Sequence, residues 1–202
     1  ARERGFSFRP GTPLDMRMGG AREAGAPTAA VLLNELSERE LAEVFWRYGE
    51  ERRARRLAAE VVRRRAERRF EVSDDLLAAM DRALGRRLEV QDRARIFQAL
   101  RIAVNDELGA LERALPALRE RLEPSGVLVV ISYHSLEDRV VKGAFREWSQ
   151  ECVCPPELPV CRCRGRALGE RLTVRPVVAS EAEVAANPRA RSAKLRAWRK
   201  AA

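Results

Sequence analysis

The sequence predicts an α/β protein in which long helices accompany an open sheet, and two observations lead to this prediction. The run Val127 to Ile131 is continuously apolar and rich in β-branched residues, which is typical of a strand buried on both faces in a parallel sheet. Two long stretches, residues 27–88 and 91–122, carry apolar residues at intervals of three and four, which is the period of an amphipathic helix.

The turn after the apolar strand is the first candidate site. Ser135 is predicted to cap the next helix, with Asp138 returning a carboxylate to its first turn, so Tyr133 and His134 fall in the loop between strand and helix. Ligands of open α/β sheets bind at such loops. His134 is the only histidine of the chain. It is either a functional residue or a side chain that hydrogen-bonds within its turn.

The charge of the chain favours a polyanionic partner. The formal net charge is +9, and the only lysines are Lys142, Lys194 and Lys200, so arginine carries nearly all the positive charge. The planar guanidinium suits phosphates and base edges, which indicates nucleic acid. The alternative is that biased genomic base composition leads to arginine in place of lysine at solvated surface positions.

The length and composition fit a folded protein of one domain or two small ones. Of the 202 residues, 46% are apolar, which is enough for a core. The sequence contains neither an apolar run of membrane-spanning length nor a secretory leader, so we expect a cytoplasmic protein without a membrane partner. Oligomeric state is not predicted.

The segment Gly5 to Gly20 is predicted to be an ordered loop. It has glycines and prolines but no helical or strand period, and its Phe and Met side chains need a surface to pack on. Asp15 and Arg17 form its polar centre. They either bind a ligand or hold the loop together as an ion pair.

Residues 27–88 are predicted to form a compact helical module. The expected helices are Ala29 to Leu36, Glu38 to Tyr48 after a capping box at Ser37, Glu51 to Arg69, and Asp74 to Leu84 with Ser73 as its cap. The arginine-rich third helix is either a nucleic-acid surface or a solvated face stabilised by pairs with its glutamates.

The next helical stretch, Gln91 to Leu122, is expected to break or kink at Pro116. Arg101 and Asn105 lie one turn apart on one face. Asn105-Asp106-Glu107 has poor helix propensity, which indicates either a role beyond helix formation or an exposed polar turn.

After the central turn the pattern predicts a helix from Leu136 to about Trp148, a strand from Arg171 to Val178 and a short helix capped by Ser180. Residues 189–198 are compatible with either a helix or an edge strand.

Four cysteines interrupt this pattern as C-x-C, a proline-rich connector and C-x-C, namely Cys152, Cys154, Cys161 and Cys163. Two converging thiolate pairs match a structural zinc site in ligand number. Free thiols and disulfides are the alternatives, and a cytoplasmic setting argues against disulfides. No phosphate-binding glycine loop, no nucleophile elbow and no Cys-His pair at a catalytic spacing is present, which argues against covalent catalysis.

Four separated blocks carry a family resemblance: Gly5-Phe-Ser-Phe with Leu14-Asp-Met-Arg-Met18, Phe97 to Leu108, Ile131 to Arg139, and Asn187 to Arg196. In this order they resemble the bacterial small-subunit rRNA (cytosine-N4)-methyltransferase family, of the RsmH or MraW type. The cysteine pairs resemble an insertion found in some members.

The resemblance implies a Rossmann-like class I methyltransferase domain with an inserted all-helical domain. Residues 1–26 would be a loop segment of the methyltransferase domain, residues 27–95 the insertion, and residues 96–202 the C-terminal part of the methyltransferase domain with the Cys-rich insertion 152–163. Val127 to Ile131 would be a late strand of its parallel sheet.

The resemblance further implies an S-adenosylmethionine-dependent enzyme that acts on a cytosine of small-subunit rRNA or of the small ribosomal subunit. The N4 amino group is a poor nucleophile, so it needs precise placement and acceptors for its hydrogens. Asp15 and His134 are the catalytic candidates, and Ser132, Asn105 and Glu137 are candidates to orient them. The candidate phosphate contacts are Arg9, Arg17, Arg101, Arg139, Arg189, Arg191 and Lys194.

The cofactor motifs of the family precede the equivalent of Gly5. We therefore expect no cofactor-binding residues in this chain, with the S-adenosylmethionine site upstream of Ala1, and an inactive isolated chain. The alternatives are a non-catalytic RNA-binding or ribosome-assembly module and, on charge and cysteines alone, a zinc-dependent DNA-binding protein.

Overall fold

The chain forms two compact units, Ala1–Glu107 and Leu108–Ala202. A computed structural model describes residues 5–19, 25–85, 88–155, 160 and 162–202. It contains helices and a small antiparallel sheet, which agrees with the predicted α/β class at that level. In the described part of the chain, no helix has the length and apolarity needed to cross a membrane.

The first unit consists of helices and the N-terminal loop. Its helices are α1 (Ala29–Glu35), α2 (Glu38–Arg47), α3 (Ala54–Glu67), α4 (Ser73–Leu84) and α5 (Val90–Asn105). Leu33, Phe45, Leu57 and Leu76 are fully buried between them. The predicted boundary of an inserted domain after residue 95 falls within α5, and that division of the chain stays a prediction.

Helix starts follow local hydrogen bonds. The predicted capping box at Ser37 is confirmed, because its hydroxyl accepts from Glu40 N while Ser37 N donates to the Glu40 carboxylate. The predicted cap at Ser73 is wrong. Val72 occupies that position, and Asp75 Oδ2 accepts from Val72 N at 3.0 Å. Ser73 lies inside the helix, and its hydroxyl donates to Arg9 O.

The N-terminal loop is ordered, as predicted. Leu14 and Met16 are buried in the helical core, and the backbone of Leu14 and Asp15 accepts hydrogen bonds from Ala30 N and Ala29 N at the start of α1. Gly5 (φ 74°) lies so close to this loop that a Cβ would be 2.8 Å from Asp15 N.

The long helical stretch breaks at Asp106 and not at Pro116. Asp106 has a left-handed backbone (φ 46°), and helix α6 (Glu107–Arg121) begins directly after it. Pro116 lies inside α6. Its neighbour Leu115 is buried, and this packing outweighs the hydrogen bond that proline cannot make.

The second unit contains α6 from Leu108 onwards and a four-stranded sheet. The other elements are β1 (Val127–Ser132), α7 (Ser135–Trp148), β2 (Gly169–Arg171), β3 (Val177–Val178), α8 (Glu181–Ala186), a 3-10 helix (Pro188–Ser192) and β4 (Lys194–Lys200). β4 is central, with β1 on one side and β2 and β3 on the other. All three pairings are antiparallel, with Val130 opposite Arg196 and Arg171 opposite Trp198.

Two C-terminal expectations change with this topology, and a third is confirmed. The single strand predicted over residues 171–178 is two short strands, β2 and β3, because both Leu172 N and Thr173 N donate to Ala197 O, which interrupts the regular pairing. The ambiguous segment 189–198 begins as a 3-10 helix and continues as the central strand. The helix start at Ser180 is confirmed, since its hydroxyl accepts from Glu183 N.

Strand β1 is not buried on both faces. Val127, Val129 and Ile131 are exposed, while Leu128 and Val130 pack against the core of this unit. Its only neighbour among the described strands is the antiparallel β4, so the described part of the sheet shows no parallel pairing.

Aromatic side chains form the core of the second unit. Trp198 is fully buried, its ring lies 5.2 Å from that of Trp148, and its indole N–H donates to Ser149 Oγ at 3.1 Å. Phe145 and Leu115 complete this core. A Cβ on Gly169 would collide with the Trp198 ring, so the strand pairing beside it requires glycine.

Candidate functional site

Asp15 and Arg17 form an ion pair within the N-terminal loop. Arg17 Nε lies 2.7 Å from Asp15 Oδ1, Arg17 Nη2 lies 2.9 Å from Oδ2, and Arg17 N also donates to Oδ1. The guanidinium hydrogen bonds hold the pKa of Asp15 below its ordinary value. In the described part of the chain Oδ2 accepts one hydrogen bond, so Asp15 is a charged group with remaining acceptor capacity.

Asn105 holds the same loop in place. Its Nδ2 donates to Met16 O at 2.8 Å and to Arg101 O at 2.7 Å, and its Oδ1 accepts from Met18 N at 2.8 Å. Met16 has a left-handed backbone (φ 64°), which is strained for a residue with a side chain. The clamp therefore fixes a backbone conformation that Met16 alone would not adopt.

A groove of about 480 Å³ lies beside the clamped loop, lined by Phe6, Phe8, Met16, Phe97 and Arg101 among others. Its volume is within the range of small-ligand pockets. The rings of Phe8 and Phe97 pack edge to face, with centroids 5.8 Å apart. Arg101 is fixed by two bonds to the Glu107 carboxylate, at 2.7 and 2.8 Å. No sequence pattern indicates Glu107 as its partner.

His134 is the N-cap of α7, one residue earlier than the cap predicted at Ser135. Its Nδ1 accepts from Glu137 N at 3.3 Å, which assigns the proton of a neutral ring to Nε2. Nε2 is buried and makes no hydrogen bond in the described structure, although Glu137 Oε1 lies 3.3 Å away. Both interpretations of His134 therefore remain compatible with the geometry.

Glu137 closes this turn from the other side. Its carboxylate accepts from Tyr133 N at 2.9 Å. Burial raises the pKa of Glu137, but the His134 ring and the Tyr133 N–H lower it more, so the group is anionic at neutral pH. The carboxylate that returns to the first turn is thus that of Glu137, not that of Asp138.

Asp138 instead forms a buried ion pair with Arg196, which the sequence analysis did not assign as a functional residue. Arg196 Nε and Nη2 lie 2.7 and 3.1 Å from its carboxylate oxygens, and Lys194 Nζ lies 3.6 Å away. Arg196 keeps the pKa of Asp138 below its ordinary value. Ser132 is buried, and its hydroxyl makes one long contact, 3.4 Å, with Lys194 O.

The predicted phosphate contacts divide into two groups. Arg17, Arg101 and Lys194 lie against the carboxylates described above. The side chains of the other four are exposed, namely Arg9, Arg139, Arg189 and Arg191. The sequence could not distinguish the groups, because two of these three partners lie six or more residues away along the chain.

The cysteine pairs converge. The Sγ atoms of Cys152, Cys154 and Cys163 lie within 4.8 Å of one another. Cys161, the fourth predicted metal ligand, lies outside the described residues.

The structure thus joins Asp15, Arg17, Arg101 and Asn105 around one loop of the first unit. In the second unit it joins Ser132 to Lys194 and His134 to Glu137. The catalytic and binding roles of these residues stay predictions.

Comparison with known proteins gives consistent results. The model of the MraW methylase family matches residues 1–201. A protein of Gemmatimonas aurantiaca is 58% identical over 98% of this chain, and one of Heliobacterium modesticaldum is 52% identical over 98%. Both are named "Ribosomal RNA small subunit methyltransferase H". The chain spans 62% and 63% of their respective lengths.

Because the family model matches almost the whole chain and the relatives are this similar, the chain belongs to the MraW methylase family.

Proposed function

We propose that this chain is the base- and RNA-binding part of an S-adenosylmethionine-dependent methyltransferase that modifies the N4 amino group of a cytosine in small-subunit rRNA. The observation that carries the proposal is the Asn105-clamped loop, which holds Asp15 and lines a groove of nucleoside size. Family membership and the names of the relatives support the class of reaction.

Asp15 is proposed to accept a hydrogen bond from the N4 amino group of the cytosine. Its lowered pKa keeps it ionised at neutral pH, and Arg17 fixes the carboxylate by two bonds. An anionic acceptor beside N4 would orient the amino group and would stabilise the positive charge that the nitrogen acquires on methylation. No covalent intermediate with the protein is required.

The groove is proposed to receive the base or a neighbouring nucleotide. Phe6, Phe8 and Phe97 supply aromatic surfaces, and RNA-binding proteins stack unpaired bases on such side chains. The Arg101 guanidinium lies at the same groove, and its pairing with Glu107 favours a positioning role over a flexible phosphate contact.

His134 is proposed to polarise the base through Nε2, a buried ring nitrogen that lies 3.3 Å from Glu137 Oε1. Its other nitrogen is used as the helix cap, so the orientation of the ring is set by the start of α7. Ser132 and Glu137 are proposed to orient this turn. The exposed Arg9, Arg139, Arg189 and Arg191 are proposed to bind rRNA phosphates.

S-adenosylmethionine supplies the methyl group in the proposed reaction. The described residues do not fit a binding site for it. Among the described strands, only β1 and β3 are followed closely by a helix. The connecting turns are Tyr133–His134 and Ala179–Ser180, and neither contains the glycines that let a backbone approach a nucleotide. No cofactor contact is therefore assigned to this chain.

We also propose that the first unit contains a helical insertion, residues 27–95, in a Rossmann-like domain. Two observations support this. All four described strands lie between residues 127 and 200, and β1 has one edge without a strand neighbour in the described structure, where a further strand could pair.

The test is a methyl-transfer assay with a protein that contains this chain within the full family sequence. Labelled S-adenosylmethionine and small ribosomal subunits are the substrates, and N4-methylcytidine is measured by mass spectrometry of the digested rRNA. We expect Asp15→Asn to lower the rate by at least tenfold, while Glu43→Gln, an exposed carboxylate in the same unit, leaves it unchanged.

Two outcomes would contradict the proposal. Equal rates for Asp15→Asn and Glu43→Gln would remove Asp15 from the chemistry. Salt-dependent binding of rRNA without methyl transfer by the unmodified protein would favour the non-catalytic RNA-binding module.

A further inference from the structure

The two C-x-C pairs bring three sulfur atoms together in the second unit. Cys152, Cys154 and Cys163 have Sγ atoms within 4.8 Å of one another, and the Cys152–Cys163 separation is 3.9 Å. Zinc binds thiolates at about 2.3 Å in tetrahedral geometry, which places two bound sulfurs about 3.8 Å apart. The observed separation is therefore compatible with two ligands of one ion.

Backbone N–H groups point at these sulfurs in a reciprocal pattern. Val153 N, from within the first pair, donates to Cys163 Sγ at 3.4 Å. Arg162 N, which precedes Cys163, donates to Cys154 Sγ at 3.4 Å. Such bonds stabilise a sulfur that carries negative charge, and they orient it as groups around a metal ligand do.

Both ends of this loop lie at the C-terminal end of helix α7. The Arg164 guanidinium donates to the carbonyl oxygens of Glu147 and Gln150, where the helix ends. Leu168 N donates to Trp148 O at 2.8 Å. These bonds hold the ends of the loop together, so bringing the sulfurs to one point needs less additional ordering.

The loop has little apolar packing of its own. Among its described residues, those between Ser149 and Leu168, none is buried. A segment that cannot build a core needs a crosslink to hold one conformation, and a metal bound by thiolates supplies it.

We propose that Cys152, Cys154 and Cys163 bind a zinc ion with a structural role. Thiolates suit zinc, whereas magnesium and calcium take oxygen ligands. The ion fixes the loop after α7, and none of its three proposed ligands is among the residues proposed for methyl transfer. The inference goes beyond the proposed function and does not depend on it.

The first test measures metal content. The full 202-residue chain is purified under reducing conditions, incubated with zinc chloride, and freed of excess metal by gel filtration before elemental analysis. We expect about one zinc per chain. Cys152→Ser combined with Cys163→Ser is expected to lose the metal. Val160→Ser, an exposed change in the same loop that keeps all the sulfurs, is expected to retain it.

The second test uses the unmodified chain, so that a variant that fails to fold cannot mislead. Cobalt is added to the metal-free protein, and an absorption band from thiolate-to-cobalt charge transfer is expected, together with the visible bands of tetrahedral cobalt. A chelator is expected to lower the melting temperature, and added zinc is expected to restore it.

Three outcomes would overturn the proposal. These are absence of bound zinc in the reduced chain, retention of zinc by the double serine variant, and a thiol titration that finds these cysteines oxidised in the purified chain. Each is measured without RNA or S-adenosylmethionine, so failure here is distinguishable from failure of the proposed methyl transfer.

Discussion

Asp138 and Arg196 are both nearly enclosed by protein, with 8% and 5% of their surfaces exposed, and two hydrogen bonds join them. A buried pair of this kind contributes modestly as a whole, but the loss of one partner leaves the other charged and unsolvated. Arg196 lies in the central strand β4 and Asp138 in helix α7, so the pair ties the helix to the sheet.

We expect Asp138→Asn to lower the free energy of unfolding by about 3 kcal/mol at neutral pH, because it leaves the Arg196 guanidinium without its charged partner. Chemical denaturation measures this change. Glu170→Gln is the matched control. It breaks the exposed Arg199–Glu170 pair of the same sheet and should cost less than about 1 kcal/mol. Similar losses of unfolding free energy for the two variants would show that the buried Asp138–Arg196 pair stabilises the chain no more than an exposed pair does.

The same pair predicts a pH dependence. The native pKa of Asp138 is lowered, chiefly by its hydrogen bonds from Arg196. The stabilisation is therefore fully present above the ordinary carboxyl pKa of about 4 and is lost as the pH falls through the lower native value. We expect the difference in unfolding free energy between the unmodified chain and Asp138→Asn to shrink in acid. If this difference in unfolding free energy stays constant as the pH falls below the ordinary carboxyl pKa, Asp138 ionisation is not the source of the stabilisation.

Asn105 makes three hydrogen bonds that fix the backbone of residues 16–18 and of Arg101. We expect Asn105→Ala to cost about 2 kcal/mol of unfolding free energy and to speed amide exchange at Met18. Asn105→Asp keeps the acceptor for Met18 N but places an oxygen against two carbonyl groups. It should therefore be at least as destabilising. If it were neutral, the donor bonds from Nδ2 would contribute nothing.

At the level of single residues, the sequence indicated which groups are unusual, but it indicated a partner only where that partner lies close along the chain. Asp15 and Arg17 are two positions apart, and their ion pair was among the predicted alternatives. Asp138 and Arg196 are 58 positions apart, and no local pattern connects them. An arginine within the apolar stretch Leu195 to Trp198 was the one available signal that a buried carboxylate is nearby.

The secondary-structure elements show why a continuous apolar run is a poor guide to burial. β1 has apolar side chains on both faces, yet Val129 is 51% exposed while Val130 packs against the core. An apolar composition shows only that both faces of a strand could be buried. The structure shows which face is covered in this chain.

We expect the same substitution to have different effects on the two faces of β1. Val130→Thr should cost about 1 kcal/mol, because it places a hydroxyl against the core, whereas Val129→Thr should change the free energy of unfolding by less than about 0.5 kcal/mol. Both variants keep a β-branched side chain, so strand propensity is unchanged. Equal effects in denaturation would mean that the exposed face is covered in solution.

The break between α5 and α6 shows the limit of helix-breaking rules. Proline 116 was expected to interrupt the stretch, but the helix continues through it because Leu115 is buried. The interruption lies at Asp106, within the segment of poor helix propensity, where a short polar side chain tolerates a left-handed backbone. The poor helix propensity of residues 105–107 was visible in the sequence, but the break was predicted at Pro116.

Across the whole molecule, the positive charge is more engaged than the net value of +9 suggests. Many arginines lie against carboxylates, such as Arg63 between Glu60 and Glu67 in the arginine-rich helix α3. For α3, the structure therefore supports the alternative in which arginines pair with glutamates of the same helix. Net charge could indicate a polyanionic partner, but only the coordinates separate paired guanidiniums from exposed ones.

The exposed arginines yield a prediction for RNA binding by the whole chain. Arg189 and Arg191 flank the buried Ala190 in the 3-10 helix, which anchors a segment with both side chains in solvent. If each contacts a phosphate, Arg189→Gln with Arg191→Gln should lower the slope of log affinity against log salt by about 1.4, since each contact to single-stranded nucleic acid contributes about 0.7. The affinity for a labelled fragment of small-subunit rRNA, measured by fluorescence anisotropy at several salt concentrations, gives this slope.

Arg63→Gln with Arg64→Gln removes the same charge from α3, where Glu60 lies beside both guanidiniums, and should change the slope less. Equal decreases for the two double variants would mean that the RNA senses total charge and not these two arginines.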